Sequence, residues 1–169
     1  MGGINRLYIR HSGADIPAAI SNAYLSASLQ QGARYIEVDV NDSSSFPDEV
    51  WGALSQSLGT PLFHLLFQST SDSFRFVHIE AGEIVRRLQY GCLIEQGLWE
   101  IIEGSAEPWE TKAFFSDNPL EFIEKDDPEW FTYQAIWQSQ TLVANATFPF
   151  CNAREAARTA GQYYQFPGW

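Results

Sequence analysis

Residues 62–103, LFHLLFQSTSDSFRFVHIEAGEIVRRLQYGCLIEQGLWEIIE, decide how the chain should fold. Leu62–Gln68 is an apolar run around His64, residues 74–80 alternate, and Ala81-Gly82 sits where a tight hairpin turn belongs. Residues 83–89 return, and 98–103 follow after a connection at 90–97. Strands joined this closely pair antiparallel, so the stretch reads as a β-meander.

Upstream of it, residues 6–10 alternate Leu7 and Ile9 with Arg6, Tyr8 and Arg10. Asp15 can cap a helix that tolerates Pro17 in its first turn and runs to about Gln30, before Gly32. Residues 34–40 alternate again, with Ile36, Val38 and Val40 on one face and Tyr35, Glu37 and Asp39 on the other. Strand, helix and strand with short joints imply a crossover with the two strands parallel. A second helix is expected over 47–58, with Val50, Trp51, Leu54 and Leu58 at helical spacing and Gly59 ending it.

Downstream, Pro108, Pro119 and Pro128 are candidate helix starts. Asn152 and Glu155 make a capping-box spacing ahead of Ala156, Ala157, Ala160 and Tyr164. The expectation is one α+β domain over residues 1–169. It has a mixed, mostly antiparallel sheet (β-α-β-α, then the meander), helices packed on one face and a C-terminal helix.

The chain has 169 residues, 45% of them hydrophobic, which is far too apolar for disorder and long enough for a proper core. Ten Lys and Arg face 21 Asp and Glu, a formal charge of −11. Nucleic acid is therefore a poor candidate ligand, because phosphate contacts need clustered cations. The uncharged stretches 16–33, 50–71 and 130–153 carry too many Ser, Gln, Asn and Pro residues to span a bilayer. Cys92 and Cys151 are 59 positions apart with no CxxC, which fits neither a secreted disulfide scaffold nor a zinc ribbon. With no apolar leader stretch, the chain reads as soluble and cytoplasmic.

The charge is unevenly placed. Residues 95–129 hold 11 acids and only Lys112 and Lys125, so this segment carries −9 of the total. Glu103, Glu107 and Glu110 fall at steps of four and three, as do Asp117, Glu121 and Glu124. If helical, each set makes a like-charged stripe. Trp99, Trp109, Phe114, Phe115, Phe122, Trp130 and Phe131 are interleaved with them. Such a pattern suits a surface for a basic protein partner, where charge steers the encounter and aromatic burial supplies affinity. It equally suits inward-facing aromatics beneath a solvated acidic face.

Catalytic signals are sparse. His78 and Glu80 share one strand face, and Glu37 and Asp39 another. Brought together they would make a carboxylate-rich metal or acid/base site; otherwise the three acids face water and His64 is a buried, hydrogen-bonded residue. His11-Ser12-Gly13-Ala14-Asp15 lacks the glycines of a phosphate loop, and Cys92 reads as a small buried residue. Arg86 and Arg87 point to opposite faces of a strand, leaving one of them solvated.

The reading is thus a non-catalytic acidic interaction protein, inhibitor-like, immunity-like or an adaptor. It binds a basic protein through Glu103, Glu107, Trp109, Glu110, Asp117, Glu121, Glu124 and Trp130. No cofactor, metal, nucleic acid or membrane is expected. A homodimer through the edge of residues 62–67 is possible. The alternative is a small-molecule-binding or hydrolytic α+β domain, with His64, His78, Glu80 or Cys92 converging in a pocket between sheet and helices.

Overall fold

The computed structural model describes residues 3–11, 29–31, 34–40, 48–93 and 97–169, with only the backbone at 29–31. Seven strands form one sheet: β1 (Gly3–Arg10), β2 (Leu29–Gln31), β3 (Tyr35–Asp39), β4 (Leu62–Gln68), β5 (Ser73–Glu80), β6 (Glu83–Tyr90) and β7 (Trp99–Gly104). Their spatial order is β2-β3-β1-β4-β5-β6-β7, and every neighbouring pair is antiparallel. The meander β4 to β7 stands as its sequence implies. Ala81 and Gly82 both take positive φ, 50° and 90°, the backbone that a two-residue hairpin with right-handed strand twist requires.

The chain is an α+β fold, with two corrections to its expected detail. β1 and β3 are antiparallel neighbours, with Leu7 opposite Val38 and Ile9 opposite Ile36. The reason is a short strand that the alternation at 34–40 overshadows. β2 pairs antiparallel with β3, so β1 and β2 run in the same direction with β3 between them. The expected helix from Asp15 and Pro17 lies outside the described residues, and its expected end is strand β2. β4 lies between β1 and β5 and bonds to both, so residues 62–67 offer no free edge for a dimer.

The second correction concerns the helices, which cover both faces of the sheet. Helix α1 (Asp48–Leu58) places Trp51, Leu54 and Leu58 on an aliphatic layer of Leu7, Ile9, Ile36, Val38, Leu62, Val77 and Ile79. On the opposite face lie α2 (Pro108–Phe114), a 3-10 turn (Pro119–Phe122), α3 (Trp130–Ser139) and α4 (Ala153–Tyr164). They cover an aromatic layer of Tyr8, Phe63, Phe74, Phe76, Trp99, Trp109, Phe114 and Phe148. Strand periodicity explains the division, since Leu7 and Ile9 face one way and Tyr8 the other. Both faces of the central strands are apolar, so both need a cover.

Asn152 caps α4, its side chain accepting from Glu155 N at 3.0 Å. The C-terminal segment folds back on the aromatic layer. Phe166 stacks on Tyr8 at 4.1 Å, and Trp169 Nε1 donates to the Tyr8 hydroxyl at 2.9 Å.

Helix α1 docks through a close backbone approach. A Cβ on Gly52 would lie 2.8 Å from the carbonyl oxygen of Gly82, in the hairpin turn. Alanine normally stabilises a helix interior by about 1 kcal/mol over glycine. Gly52→Ala is nevertheless expected to destabilise the protein by roughly 1–3 kcal/mol, because the obstructing atom is backbone and the helix must shift. Urea unfolding of the variant checks the sign.

Candidate functional site

The residues of the acidic segment separate into two groups. The first is built into the fold. Arg86 on β6 is only 3% exposed, and Glu110 on α2 meets it with two parallel bonds, Nε to Oε1 at 2.8 Å and NH2 to Oε2 at 2.6 Å. Arg86 also donates to the carbonyls of Glu103 at 3.2 Å and Gly104 at 2.7 Å. Glu110 Oε1 in turn accepts from Glu107 N at 2.8 Å, which starts the helix.

Glu107 precedes α2 and turns inward. Its Oε1 lies 2.6 Å from His78 Nδ1, and its Oε2 accepts from Trp109 Nε1 at 2.7 Å and from the Tyr164 hydroxyl at 2.6 Å. Burial alone would raise this carboxyl, but the bonds from His78, Tyr164 and Trp109 outweigh it and hold Glu107 below the usual range. Trp109 is buried edge-on against Phe76, with centroids 5.0 Å apart. Glu103 is exposed but bonds to Arg87. Trp109 and Glu110 are buried and Glu107 is turned inward, so these three are not presented to a partner, whereas Glu103 stays exposed beside Arg87.

The opposite face of the sheet holds a second charged chain. Asp48, at the start of α1, bridges Arg75 and Arg87. Burial pushes the Asp48 carboxyl up, but the two guanidiniums prevail and lower it. Arg75 NH1 donates to His64 Nδ1 at 2.7 Å, and His64 Nε2 lies 2.7 Å from Asn5 Oδ1. These partners fix a neutral ring with the proton on Nε2. Burial, followed by the charge on Arg75, drives the His64 pKa down to about 3. His64 is thus the buried, satisfied histidine that the sequence suggests.

Two expectations about solvent fail. Glu37 does not face water: it is 3% exposed, with Oε1 3.0 Å from Arg6 NH1. Arg86 and Arg87 do point to opposite faces, yet both are bonded to carboxylates and neither is simply solvated.

The second group of acids lies at residues 117–129. Asp117, Glu121, Glu124, Asp126 and Glu129 are exposed, Asp127 is half-buried, and Lys125 is the one cation of this span. Among the described residues no salt bridge reaches any of these six acids. The expected helical stripe of Asp117, Glu121 and Glu124 is instead a single 3-10 turn with extended flanks. Asn118 caps that turn, accepting from Leu120 N at 3.2 Å, and Leu120 plugs into the aromatic layer. That plug leaves Phe122 on the outside, 88% exposed. Phe131, in the first turn of α3, is 79% exposed, while Trp130 packs against the aromatic layer. An open cleft of about 440 Å³ runs beside Phe122, lined also by Ile123, Glu124, Asp126 and Asp127.

The exposed aromatics Phe122 and Phe131 are the feature that sequence reading placed least well, since it favoured the larger Trp109 and Trp130. The Pro119-Leu120-Glu121-Phe122 order was the available signal: a proline-started turn that buries Leu120 turns Phe122 outward.

Of the four groups of the alternative reading, His78 and Glu80 meet, with Nε2 3.2 Å from Oε1, while His64 and Cys92 join neither them nor each other. His64 lies under α1 and His78 on the opposite face, while Cys92 follows β6 and is exposed instead of buried as expected, although desolvation of its sulfur still raises the thiol to about 11. A second cleft of about 560 Å³ is lined by Asp48, Glu49, Glu83, Arg87 and Glu103, and includes none of them. Among the described residues no group of three or more His, Cys, Asp or Glu side chains could hold a metal ion. Among them, too, no helix is long and apolar enough to cross a membrane. No known protein family, curated protein or solved structure matches the chain.

Two predictions separate the groups of acids. Glu110→Ala strands a buried guanidinium and should cost about 3–5 kcal/mol, whereas exposed Glu121→Ala should stay within about 0.5 kcal/mol in the same denaturant titration. The lowered Asp48 carboxyl stabilises the fold above its unfolded value, and that stability is lost as pH falls through the folded one. Asp48→Asn should therefore flatten the decline in thermal midpoint below about pH 4.

Proposed function

We propose that the chain is a non-catalytic interaction protein, an inhibitor, an immunity-like protein or an adaptor, that docks a basic protein partner through residues 117–131. One observation carries this reading: two large aromatic side chains, Phe122 and Phe131, stand in solvent beside carboxylates that no salt bridge reaches among the described residues. Isolated exposed hydrophobics are ordinary, but an aromatic rimmed by a single sign of charge is the composition of a protein-binding patch. The acids supply long-range steering toward a cationic surface, and the aromatics supply area to desolvate. Asp117, Glu121, Glu124, Phe122 and Phe131 would form this surface, with the half-buried Trp130 at its base. The free thiols of Cys92 and Cys151 support a cytoplasmic setting.

Affinity capture from the source cell, with mass spectrometry of the eluate at low and high salt, identifies the partner. A bait carrying Glu121→Lys and Glu124→Lys should lose binding at least tenfold and lose most of its salt dependence. Phe122→Ala should lose a comparable amount with the salt dependence intact. Glu155→Lys, on the solvent side of α4, should leave capture unchanged. A partner retained equally by all four baits would overturn the assignment of this surface.

A further inference from the structure

We propose that His78 is a proton-operated clasp on the β5–β6 hairpin, tying Glu80 to the buried Glu107 network when the imidazole is charged and releasing Glu80 when it is neutral. Both ring nitrogens face carboxylates: Nδ1 lies 2.6 Å from Glu107 Oε1, and Nε2 lies 3.2 Å from Glu80 Oε1. An ionised carboxylate only accepts hydrogen bonds, and a neutral imidazole has one N–H. The two contacts therefore coexist only when both nitrogens carry protons. The ring has little freedom to rotate away, being stacked on Phe63 at 4.3 Å and met by the edge of Tyr164 at 5.8 Å.

Loss of one proton leaves a choice of tautomer, and the geometry decides it. Glu107 is half-buried and anchors Trp109 and Tyr164 as well, whereas the Glu80 side chain is 54% exposed and can turn to water. The neutral ring keeps its Nδ1 proton on Glu107, so Glu80 is the carboxylate set free. Glu80 also faces Glu83 directly across the hairpin, where two like charges repel. Release thus acts on the hairpin tip, whose Gly82 carbonyl is the backbone against which α1 packs.

The charged and titratable groups around the ring are Glu80 on β5, Glu83 and Arg86 on β6, Glu107 just before α2, Glu110 on α2, and Tyr164 on α4. Arg86 is the cross-strand neighbour of His78, but its charge is spent on Glu110. Burial, followed by the bond to Glu107, raises the Tyr164 hydroxyl, so it stays a donor throughout.

The test compares thermal midpoints of wild type and Glu80→Gln at about pH 5.5 and about pH 8.5, an interval that spans the ordinary histidine value and lies above the ordinary carboxyl values. The substitution should lower the midpoint by about 2–4 °C at the acid end relative to its effect at the alkaline end, where it only removes the Glu80–Glu83 repulsion and the midpoint holds or rises slightly. In a His78→Phe background, which keeps the stacking on Phe63, the same substitution should have the same small effect at both pH values. Should that background fail to fold, ring-nitrogen NMR of wild type provides the second readout, with both nitrogens protonated at the acid end and only Nδ1 at the alkaline end. An equal Glu80→Gln effect at both pH values, or a neutral ring protonated on Nε2, would overturn the clasp.

Discussion

Arg86 cannot be buried alone. A guanidinium never gives up its proton inside a protein, and removing it from water without a partner costs several kcal/mol. The sheet places it beneath α2, so the chain must supply a carboxylate there, and Glu110 is that carboxylate. Once Glu110 is committed, the start of α2 is set, Glu107 turns to His78 and Tyr164, and Trp109 enters the aromatic layer. The geometry of this one pair thus decides which members of the acidic segment are internal and which remain outside.

This commitment changes the meaning of the net charge. Counted along the sequence, residues 95–129 form one acidic block. In three dimensions Glu103, Glu107 and Glu110 are already answered by Arg87, His78 and Arg86, all contributed by the meander. Surface ion pairs contribute little to stability and buried broken ones cost much, so Glu107 and Glu110 belong to the energetics of folding, while the exposed Glu103 pair adds little. Among the described residues of this block, those from Asp117 onward are reached by no salt bridge, and Phe122 lies exposed among them with Phe131 just beyond.

The legible parts of the fold were those with a short-range physical signature. The Ala81-Gly82 turn, the alternation of 74–80, the Asn152 cap and the proline-started helix at 108 all appear where local chemistry puts them. The illegible parts depended on distant partners. Three residues at 29–31 are too few to announce a strand, yet they reverse the direction assigned to β3. The inward turn of Glu37 depends on Arg6, thirty-one positions earlier in the chain, and that of Glu110 depends on Arg86 on a neighbouring strand. Periodicity shows that two residues share a face, but not which charge the fold will bring opposite them.

The placement of Phe122 follows from a local competition. Within one 3-10 turn Leu120 and Phe122 cannot both point at the aromatic layer, because side chains two positions apart on a tight helix diverge. Leu120 is held inward by the Asn118 cap at its own backbone N–H, so Phe122 is the residue turned out. Burying a phenylalanine is worth about 1.5–3 kcal/mol, and the fold forgoes that gain here. The surrounding carboxylates keep the exposed ring soluble and repel a second copy of the same patch. A cationic surface meets the opposite situation: it neutralises the acids while covering the ring, so charge and apolar area favour the same contact. That double complementarity is the physical argument behind the proposal that this face docks a basic protein and not a second copy of itself.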